Sequence, residues 1–225
     1  MADAARDGSA YFRGIAAKWE PVCEPVLESV PLRAGAMLPS ELLLFASLCL
    51  ETEVDLVVES GRKEGYSTEV LCRVGGWQVR SVERAVVEEA DERLAAACGG
   101  RLALHRGDGR RLVPTLVDAA RRTAVLLDGP KSTGANLMLP SIRGAAVFVG
   151  IHDVPLLGTD HQGNARRASI ENGAAYFTDD PDYVARFGWY DRAWMDRSGY
   201  KSHRDFLNVC CVLGIFRGGR WDADR

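Results

Sequence analysis

Long hydrophobic runs are missing from this sequence of 225 residues, and no stretch is apolar over the length needed to cross a membrane. The first seven residues lack the apolar core of a secretory signal. The six cysteines lie at positions 23, 49, 72, 98, 210 and 211, without a CxxC pair. Most of them lie in apolar segments, which favours reduced core thiols over a disulfide frame or a zinc site. The sequence therefore predicts a cytoplasmic protein without a membrane partner.

Positive charge is not in excess either, since 28 Lys and Arg residues face 31 Asp and Glu residues and the net charge is −3. That balance argues against nucleic acid as the main partner. Two enzyme signatures are also missing. No G-x-S-x-G elbow supplies the nucleophile of an α/β-hydrolase. In the segment 129–134 the lysine precedes the second glycine instead of following it, so this segment is not a P-loop.

What the sequence does have is a regular alternation of strand-like and helix-like segments. Hydrophobic residues make up 47% and charged residues 26%, as in a globular protein, and the length suits one α/β domain. The patterns predict strands at 54–59, 78–83, 102–105, 124–128 and 145–151, separated by helices at 66–74, 86–97, 112–121 and 135–142. Such alternation with short links predicts a Rossmann-like, doubly wound, mostly parallel sheet with helices on both faces.

The two flanks of this alternation have other patterns. Residues 1–50 are predicted to form a helical cap, with a helix at 9–27 broken by Pro21 and Pro25 and a stronger helix at 38–50. The main domain, 51–225, is predicted to contain an insertion at about 154–205. Within the insertion the composition predicts a mobile loop at 158–163, a short strand at 174–177 and a helix at 181–187. The last predicted strand is 208–217.

An aromatic stretch with Trp189, Tyr190, Trp194 and Tyr200 follows the predicted helix at 181–187. Together with the rings at positions 176 and 177, it offers flat faces that suit a planar or sugar-bearing substrate. The same rings suit a cover over the sheet edge or a dimer seam equally well. Both interpretations stay open at the level of sequence.

The stretch 54–68 predicts a ligand site. A short, β-branched strand leads through Gly61 and Gly65 to a helix start, where Ser67 and Thr68 are expected to cap free N–H groups. Glycine permits a close approach that a Cβ would forbid, so a valine at position 65 is expected to fill space that a ligand needs. Ligands bind where such turns meet the carboxyl edge of a parallel sheet. The third glycine of G-x-G-x-x-G is missing, which disfavours NAD.

The same turn carries a family resemblance, in the residues Glu59-Ser-Gly61-Arg-Lys-Glu-Gly65-Tyr66-Ser67-Thr68. They resemble the Glu-x-Gly-x-x-x-Gly-Tyr-Ser-x first motif of class I S-adenosylmethionine (SAM) dependent methyltransferases, especially the catechol and caffeoyl-CoA type O-methyltransferases. The resemblance implies SAM as cofactor, with Glu59 and Gly61 beside its methionine and ribose, and with Gly65, Tyr66 and Ser67 completing the pocket. It also implies a seven-stranded sheet with an antiparallel C-terminal strand. In that family the leading helices cover the substrate pocket and often join a homodimer.

Two acidic residues follow the next two strands. Glu83 ends the strand at 78–83, where a carboxylate can accept hydrogen bonds from both ribose hydroxyls, although a solvated strand end is the alternative. Asp108 lies in the segment 105–109, which resembles the family's Gly-Asp segment, whose Asp meets the adenine amino group. Asp128, which ends the fourth strand, is also expected at the cofactor pocket.

Two further segments resemble the metal site of the cation-dependent members. Residues 128–131 resemble the Asp-Ala-Asp-Lys motif, with Gly129-Pro130 in place of Ala-Asp, which implies Asp128 as a metal ligand and Lys131 as general base. Residues 152–154 resemble the Asp-Asn-Val segment, which implies His152 and Asp153 as the other ligands. Such a set suits Mg²⁺, and its histidine extends the choice to Mn²⁺ or Fe²⁺. The alternative is metal-free: Asp128 bonds the backbone of its own turn, His152 and Asp153 orient the substrate, and His152 is the base.

Together these features predict SAM-dependent O-methylation of a small molecule that carries a natural-product, sugar or phenolic hydroxyl. The alternative is a protein of the same fold with other chemistry, hydroxylase-like or pericyclic, or a small-molecule binder without turnover. Fold alone does not separate these classes, because function depends on the site.

Overall fold

A computed structural model describes residues 2–33, 37–85, 87–129, 133–154, 160–198 and 212–221. The helices are α1 (Ala2–Ser29), α2 (Pro39–Glu51), α3 (Tyr66–Val74), α4 (Glu88–Cys98), α5 (Gly109–Leu116), α6 (Thr133–Asn136), α7 (Leu139–Ile142), α8 (Asp160–Glu171) and α9 (Pro181–Ser198). The strands are β1 (Leu56–Ser60), β2 (Gln78–Glu83), β3 (Leu102–Arg106), β4 (Thr123–Leu127), β5 (Ala146–Ile151), β6 (Tyr176–Phe177) and β7 (Gly214–Arg217). None of the described helices is both long and apolar enough to cross a membrane.

The strands form one seven-stranded sheet in the order β3-β2-β1-β4-β5-β7-β6. The first five strands pair in parallel, and β7 runs antiparallel to both β5 and β6. This arrangement confirms the predicted doubly wound sheet with an antiparallel C-terminal strand. The strand order reverses between β1 and β4, and a parallel sheet leaves a crevice outside the carboxyl ends of its strands at such a point.

The three central strands β1, β4 and β5 are buried along their whole length because helices cover both faces of the sheet. Successive residues alternate between two apolar clusters: Val57 packs with α1 to α4 and α9, whereas Leu56 and Val58 pack with α5 to α8. The uninterrupted apolar runs of these strands follow from this double burial, as parallel sheets require.

The N-terminal segment corrects one expectation. Helix α1 continues through Pro21 and Pro25 instead of breaking there. Each proline removes one backbone donor, but Phe12, Cys23 and Leu27 on either side are buried against the main core. Tertiary packing of this kind supplies most of a helix's stability in proteins, and here it outweighs the local cost.

The C-terminal third departs most from the sequence expectations. Residues 160–163, expected in a mobile loop, lie in α8, while the rest of that expected loop, 158–159, lies outside the described residues. Helix α8 packs mainly through small and polar groups: Asn136 Nδ2 donates to Ser169 Oγ at 3.2 Å, and Ala165 is fully buried. A helix with so few apolar residues has no periodicity for sequence reasoning to detect.

Other boundaries also differ. Helix α9 extends to Ser198 instead of ending near 187, and β7 covers only 214–217 of the expected strand, whose residues 208–211 lie outside the described part. The expected helix at 112–121 is α5, which ends at Leu116, and the expected helix at 135–142 is divided into α6 and α7. The four described cysteines are free and buried, as predicted.

Candidate functional site

The turn between β1 and α3 has the backbone that its glycines require. Gly61 and Gly65 have φ of +97° and +82°, values that L-residues with a side chain rarely adopt. A Cβ on Gly61 would lie 2.3 Å from the backbone nitrogen of Gly129, and a Cβ on Gly65 would lie 2.5 Å from Leu94 Cδ1. These glycines are therefore needed for close packing inside the protein. The expectation that a valine at 65 would fill ligand space is wrong in its reason, because that side chain would meet Leu94.

Glu59 lies inside the protein rather than at a ligand surface. Its carboxylate is fully buried and accepts hydrogen bonds from the hydroxyls of Ser67, Thr68 and Ser81. Burial raises the pKa of Glu59, although these three hydroxyls counteract the shift. The structure thus places Glu59 as an anchor between β1, β2 and the start of α3, not in the cofactor contact that was expected.

The first turn of α3 consequently lacks the caps that the sequence predicted. The hydroxyls of Ser67 and Thr68 point to Glu59, and the residue before the helix is Gly65 in a left-handed conformation. Tyr66 is buried, with 1% of its surface exposed. The backbone of this turn, including Gly61, Gly65 and Ser67, lines a narrow cleft. An uncapped helix N-terminus is a favourable place for an anion.

Glu83 and Asp108 come together in one cavity of about 250 Å³, beside Gly61 and Gly129. The Glu83 carboxylate accepts backbone N–H groups of Lys63 at 2.8 Å and Arg84 at 2.7 Å, so it joins the end of β2 to the glycine turn. The two acidic residues therefore lie at the carboxyl ends of neighbouring strands, around a shared space.

Asp108 also caps the next helix. Its carboxylate accepts the backbone N–H of Arg110 at 3.0 Å and pairs with the Arg110 guanidinium at 2.9 Å. These contacts lower the pKa of Asp108 to about 2. The cavity therefore contains a carboxylate that stays ionised at neutral pH.

The ends of β4 and β5 bring three of the expected residues together. His152 Nδ1 lies 2.8 Å from Asp128 Oδ1 and 3.4 Å from Asp153 Oδ1. One donor atom from each of the three lies within 4.8 Å of the others. Asp153 has a left-handed backbone, with φ of +61°, a conformation for which Asp and Asn are the commonest non-glycine residues.

A fourth member, Glu41 of α2, was missed by the sequence analysis. Glu41 is 1% exposed, and its Oε2 lies 3.2 Å from His152 Nε2 while accepting the backbone N–H of Leu38 at 3.0 Å. A glutamate three residues after a helix start can be recognised as part of a capping box. Its proximity to His152 depends on how α2 packs over β5, which no local pattern shows.

The charges in this cluster determine the state of His152. Burial alone would lower the pKa of its imidazole, but the carboxylates of Glu41, Asp128 and Asp153 outweigh burial and raise the pKa well above its ordinary value. Both ring nitrogens face carboxylates. Three carboxylates surround one imidazole, an excess of acidic groups that suits a cation, although His152 has to release its proton before its ring nitrogen can bind a metal.

Other expected residues lie elsewhere. Lys131 and Tyr200 are outside the described residues. Two of the aromatic side chains contact the N-terminal helix: Tyr176 stacks on Phe12 at 4.8 Å and Tyr190 donates to Glu20 at 3.2 Å. These contacts favour the interpretation of these rings as a cover for the sheet edge over that of a substrate wall.

A cavity of about 770 Å³ lies between the start of α2, the end of β6 and one face of α9. Apolar side chains of Leu38, Val184, Met195 and Val212 contribute to its lining, which also includes Ser40, Thr178, Asp179, Asp191, Arg192 and Asp196. The Asp191 carboxylate accepts hydrogen bonds from the backbone N–H of Ser40 at 2.9 Å and from the Ser40 hydroxyl at 2.6 Å. Ser40 directly precedes Glu41 in the chain. The cavity thus borders the helix start that carries Glu41.

Comparison with known proteins supports the fold. Neither a family model nor a curated protein matches the chain. Among solved structures, it is similar to the O-methyltransferase TomG of Streptomyces achromogenes, involved in tomaymycin synthesis and solved with SAM. That likeness has a TM-score of 0.51 and 16% identity, and covers 88% of this chain and 89% of TomG.

A Klebsiella pneumoniae protein, solved as a candidate O-methyltransferase, gives a TM-score of 0.50 at 18% identity, over 74% of this chain and 85% of that protein. Likenesses at this identity show a shared fold. They confirm the predicted Rossmann-like fold.

Proposed function

We propose that the protein is a SAM-dependent methyltransferase that transfers a methyl group to a hydroxyl oxygen of a small molecule. The observation that carries this proposal is the pairing of Glu83 and Asp108 around one cavity beside the glycine turn. Two carboxylates after successive strands suit the ribose hydroxyls and the adenine amino group of an adenosyl ligand. SAM, when bound, would supply the electrophilic methyl group.

For the reaction we propose that Asp128, His152 and Asp153 hold a divalent cation, Mg²⁺ or alternatively Mn²⁺ or Fe²⁺. Support comes from their spacing, from the excess of carboxylates and from the mixture of oxygen and imidazole donors. A cation at this point of the sheet would lower the pKa of a substrate hydroxyl and fix its direction. Lys131 remains the candidate general base from the sequence.

The acceptor is proposed to bind in the 770 Å³ cavity, whose volume suits a small molecule. The cavity has apolar walls and hydrogen-bonding groups, which fits a sugar or phenol. We propose no role for nucleic acid or membrane, and we propose a cytoplasmic location. A homodimer joined through the N-terminal helices also remains a proposal.

The first test is cofactor binding, and it needs no acceptor. Calorimetry is expected to give a dissociation constant for SAM in the micromolar range, which corresponds to a binding free energy of about −8 kcal/mol. Glu83→Gln removes the charge opposite the ribose and is expected to weaken binding by about tenfold. Glu88→Gln, in the first turn of α4, is the matched control and is expected to bind as the wild type does. Absence of heat with both SAM and S-adenosylhomocysteine would contradict the proposal.

The alternative chemistries are favoured by one observation, the histidine in the candidate metal set, because imidazole with carboxylates also suits Fe²⁺. A methyltransferase is expected to form one S-adenosylhomocysteine for each methylated product. A product formed without consumption of SAM would instead support hydroxylase-like or pericyclic chemistry.

A further inference from the structure

Glu41 of α2 lies against one of the two ring nitrogens of His152. The Nε2 atom is 3.2 Å from Glu41 Oε2, within the distance of an ion pair, and both side chains are buried. Neither Nε2 nor Glu41 Oε1 has a hydrogen-bond partner among the described residues. Buried polar atoms in this state are costly, so a proton on Nε2 that the Glu41 carboxylate accepts would remove part of that cost.

The start of α2 fixes the position of Glu41. Glu41 Oε2 accepts the backbone N–H of Leu38 at 3.0 Å. The preceding residue, Ser40, donates its backbone N–H and its hydroxyl to Asp191, and its carbonyl accepts the Tyr183 hydroxyl at 2.8 Å. These bonds tie the first turn of α2 to α9. The Glu41 carboxylate is therefore held beside His152 by the packing of two helices.

The other ring nitrogen of His152 faces the aspartates. Its Nδ1 lies 2.8 Å from Asp128 Oδ1 and 3.4 Å from Asp153 Oδ1. A cation held by these two aspartates would therefore have Nδ1 as its imidazole ligand. A neutral imidazole has one N–H, so binding through Nδ1 leaves the proton on Nε2, which is the nitrogen beside Glu41.

We propose that Glu41 is a positioning residue for the cation site: its carboxylate accepts the Nε2 proton of His152 and so fixes the tautomer in which Nδ1 binds the cation. This inference rests on the proposed function. A histidine that binds a metal commonly donates its other N–H to a carboxylate, which orients the ring and makes the ligating nitrogen more basic. Glu41 acts through His152 and does not itself contact the cation.

The need for Glu41 follows from the histidine. An aspartate at position 152, as in the family segment that 152–154 resemble, would have no second ring nitrogen to satisfy. A histidine at this position places a buried N–H on the side of the ring where α2 packs. Without an acceptor from α2, that N–H would favour the opposite tautomer, whose Nδ1 cannot bind a metal.

The test measures Mn²⁺ binding to chelator-treated protein, and it needs no acceptor substrate. Glu41→Gln keeps the shape of the side chain, but its amide can donate to Nε2 and favour the opposite tautomer. The variant is expected to bind Mn²⁺ about 10- to 100-fold more weakly than the wild type. Glu69→Gln is the matched control, because Glu69 is also buried in the first turn of a helix, α3. Its affinity for Mn²⁺ is expected to stay within about twofold of the wild-type value.

The tautomer itself gives a measurement that a general loss of stability would not change. Nitrogen-15 NMR of the wild type with Zn²⁺, a diamagnetic probe, is expected to show a proton on Nε2 of His152 and none on Nδ1. The chain has four histidines, and the His152 signals are those missing from the spectrum of His152→Asn.

Two results would overturn the assignment of Glu41 and leave the cation site in place. One is a Glu41→Gln protein that binds Mn²⁺ as tightly as the wild type. The other is a Zn²⁺-loaded wild type with the His152 proton on Nδ1, a result that decides the matter even if Glu41→Gln does not fold. A wild type that binds no divalent cation would refute the proposed cation, and this assignment with it. Binding of S-adenosylhomocysteine tests the methyltransferase proposal separately.

Discussion

Asp153→Asn is expected to lower the rate of methyl transfer by about 100-fold or more. Its affinity for S-adenosylhomocysteine is expected to stay within about twofold of the wild-type value. Asparagine tolerates the left-handed backbone at this position, where φ is +61°, so the change removes a charge without straining the turn. The proposed cation would lose one of its three ligands. The adenosyl ligand is expected to be unaffected, because its proposed site lies at the ends of earlier strands, at Glu83 and Asp108.

The measurements separate metal binding from turnover. Titration of chelator-treated protein with Mn²⁺, together with elemental analysis, is expected to show one bound ion in the wild type and a large loss of affinity in Asp153→Asn. Asp182→Asn is the matched control, because Asp182 has a side chain that is 76% exposed on α9. With an acceptor identified, chelator is expected to abolish turnover, and Mg²⁺ or Mn²⁺ to restore it.

Full activity in chelator would support the metal-free alternative, in which His152 is the base. That alternative makes its own prediction about pH. A base must be deprotonated, and the facing carboxylates raise the pKa of His152 well above its ordinary value. Activity would then rise with pH only above the range of a free imidazole, whose pKa is about 6.5.

The central part of the fold could be predicted from sequence because its signals are local and strong. The strand at 146–151 is an uninterrupted apolar run, and the helix at 66–74 directly follows the glycine turn. The flanks could not be predicted equally well. The continuity of α1 through its prolines depends on burial against the core, and α8 packs through small and polar residues.

The candidate site, like the fold, could be predicted only in part from the sequence. Strand ends predicted that Asp128, His152 and Asp153 would meet, because neighbouring parallel strands end at one edge. Glu41 could not be found in this way, because it comes from a helix that packs over that edge. What a Cβ at Gly65 would contact likewise depends on the packing of Leu94 from another helix, so the turn could be predicted from the sequence but the reason for its glycine could not.

Gly61→Ala is expected to cause the largest loss of stability. The added Cβ would lie 2.3 Å from the nitrogen and 2.6 Å from the Cα of Gly129, and 2.8 Å from the carbonyl carbon of Asp128. These are backbone atoms of the turn after β4, which cannot rotate away as a side chain can. The positive φ adds about 1–2 kcal/mol, and the overpacking adds about 1–3 kcal/mol.

The free energy of unfolding is therefore expected to fall by about 3 kcal/mol, which lowers the melting temperature by about 6–12 °C in a chain of this size. Gly65→Ala should lower the free energy of unfolding by less than Gly61→Ala, because its Cβ meets the tip of the Leu94 side chain, which can shift. Gly14→Ala is the control: it lies inside α1 with no atom within 4 Å of the added Cβ, so it should raise stability by up to about 1 kcal/mol. A Gly61→Ala protein that melts within 2 °C of the wild type, roughly the shift expected from less than 1 kcal/mol, would show that the turns after β1 and β4 are not in this close contact.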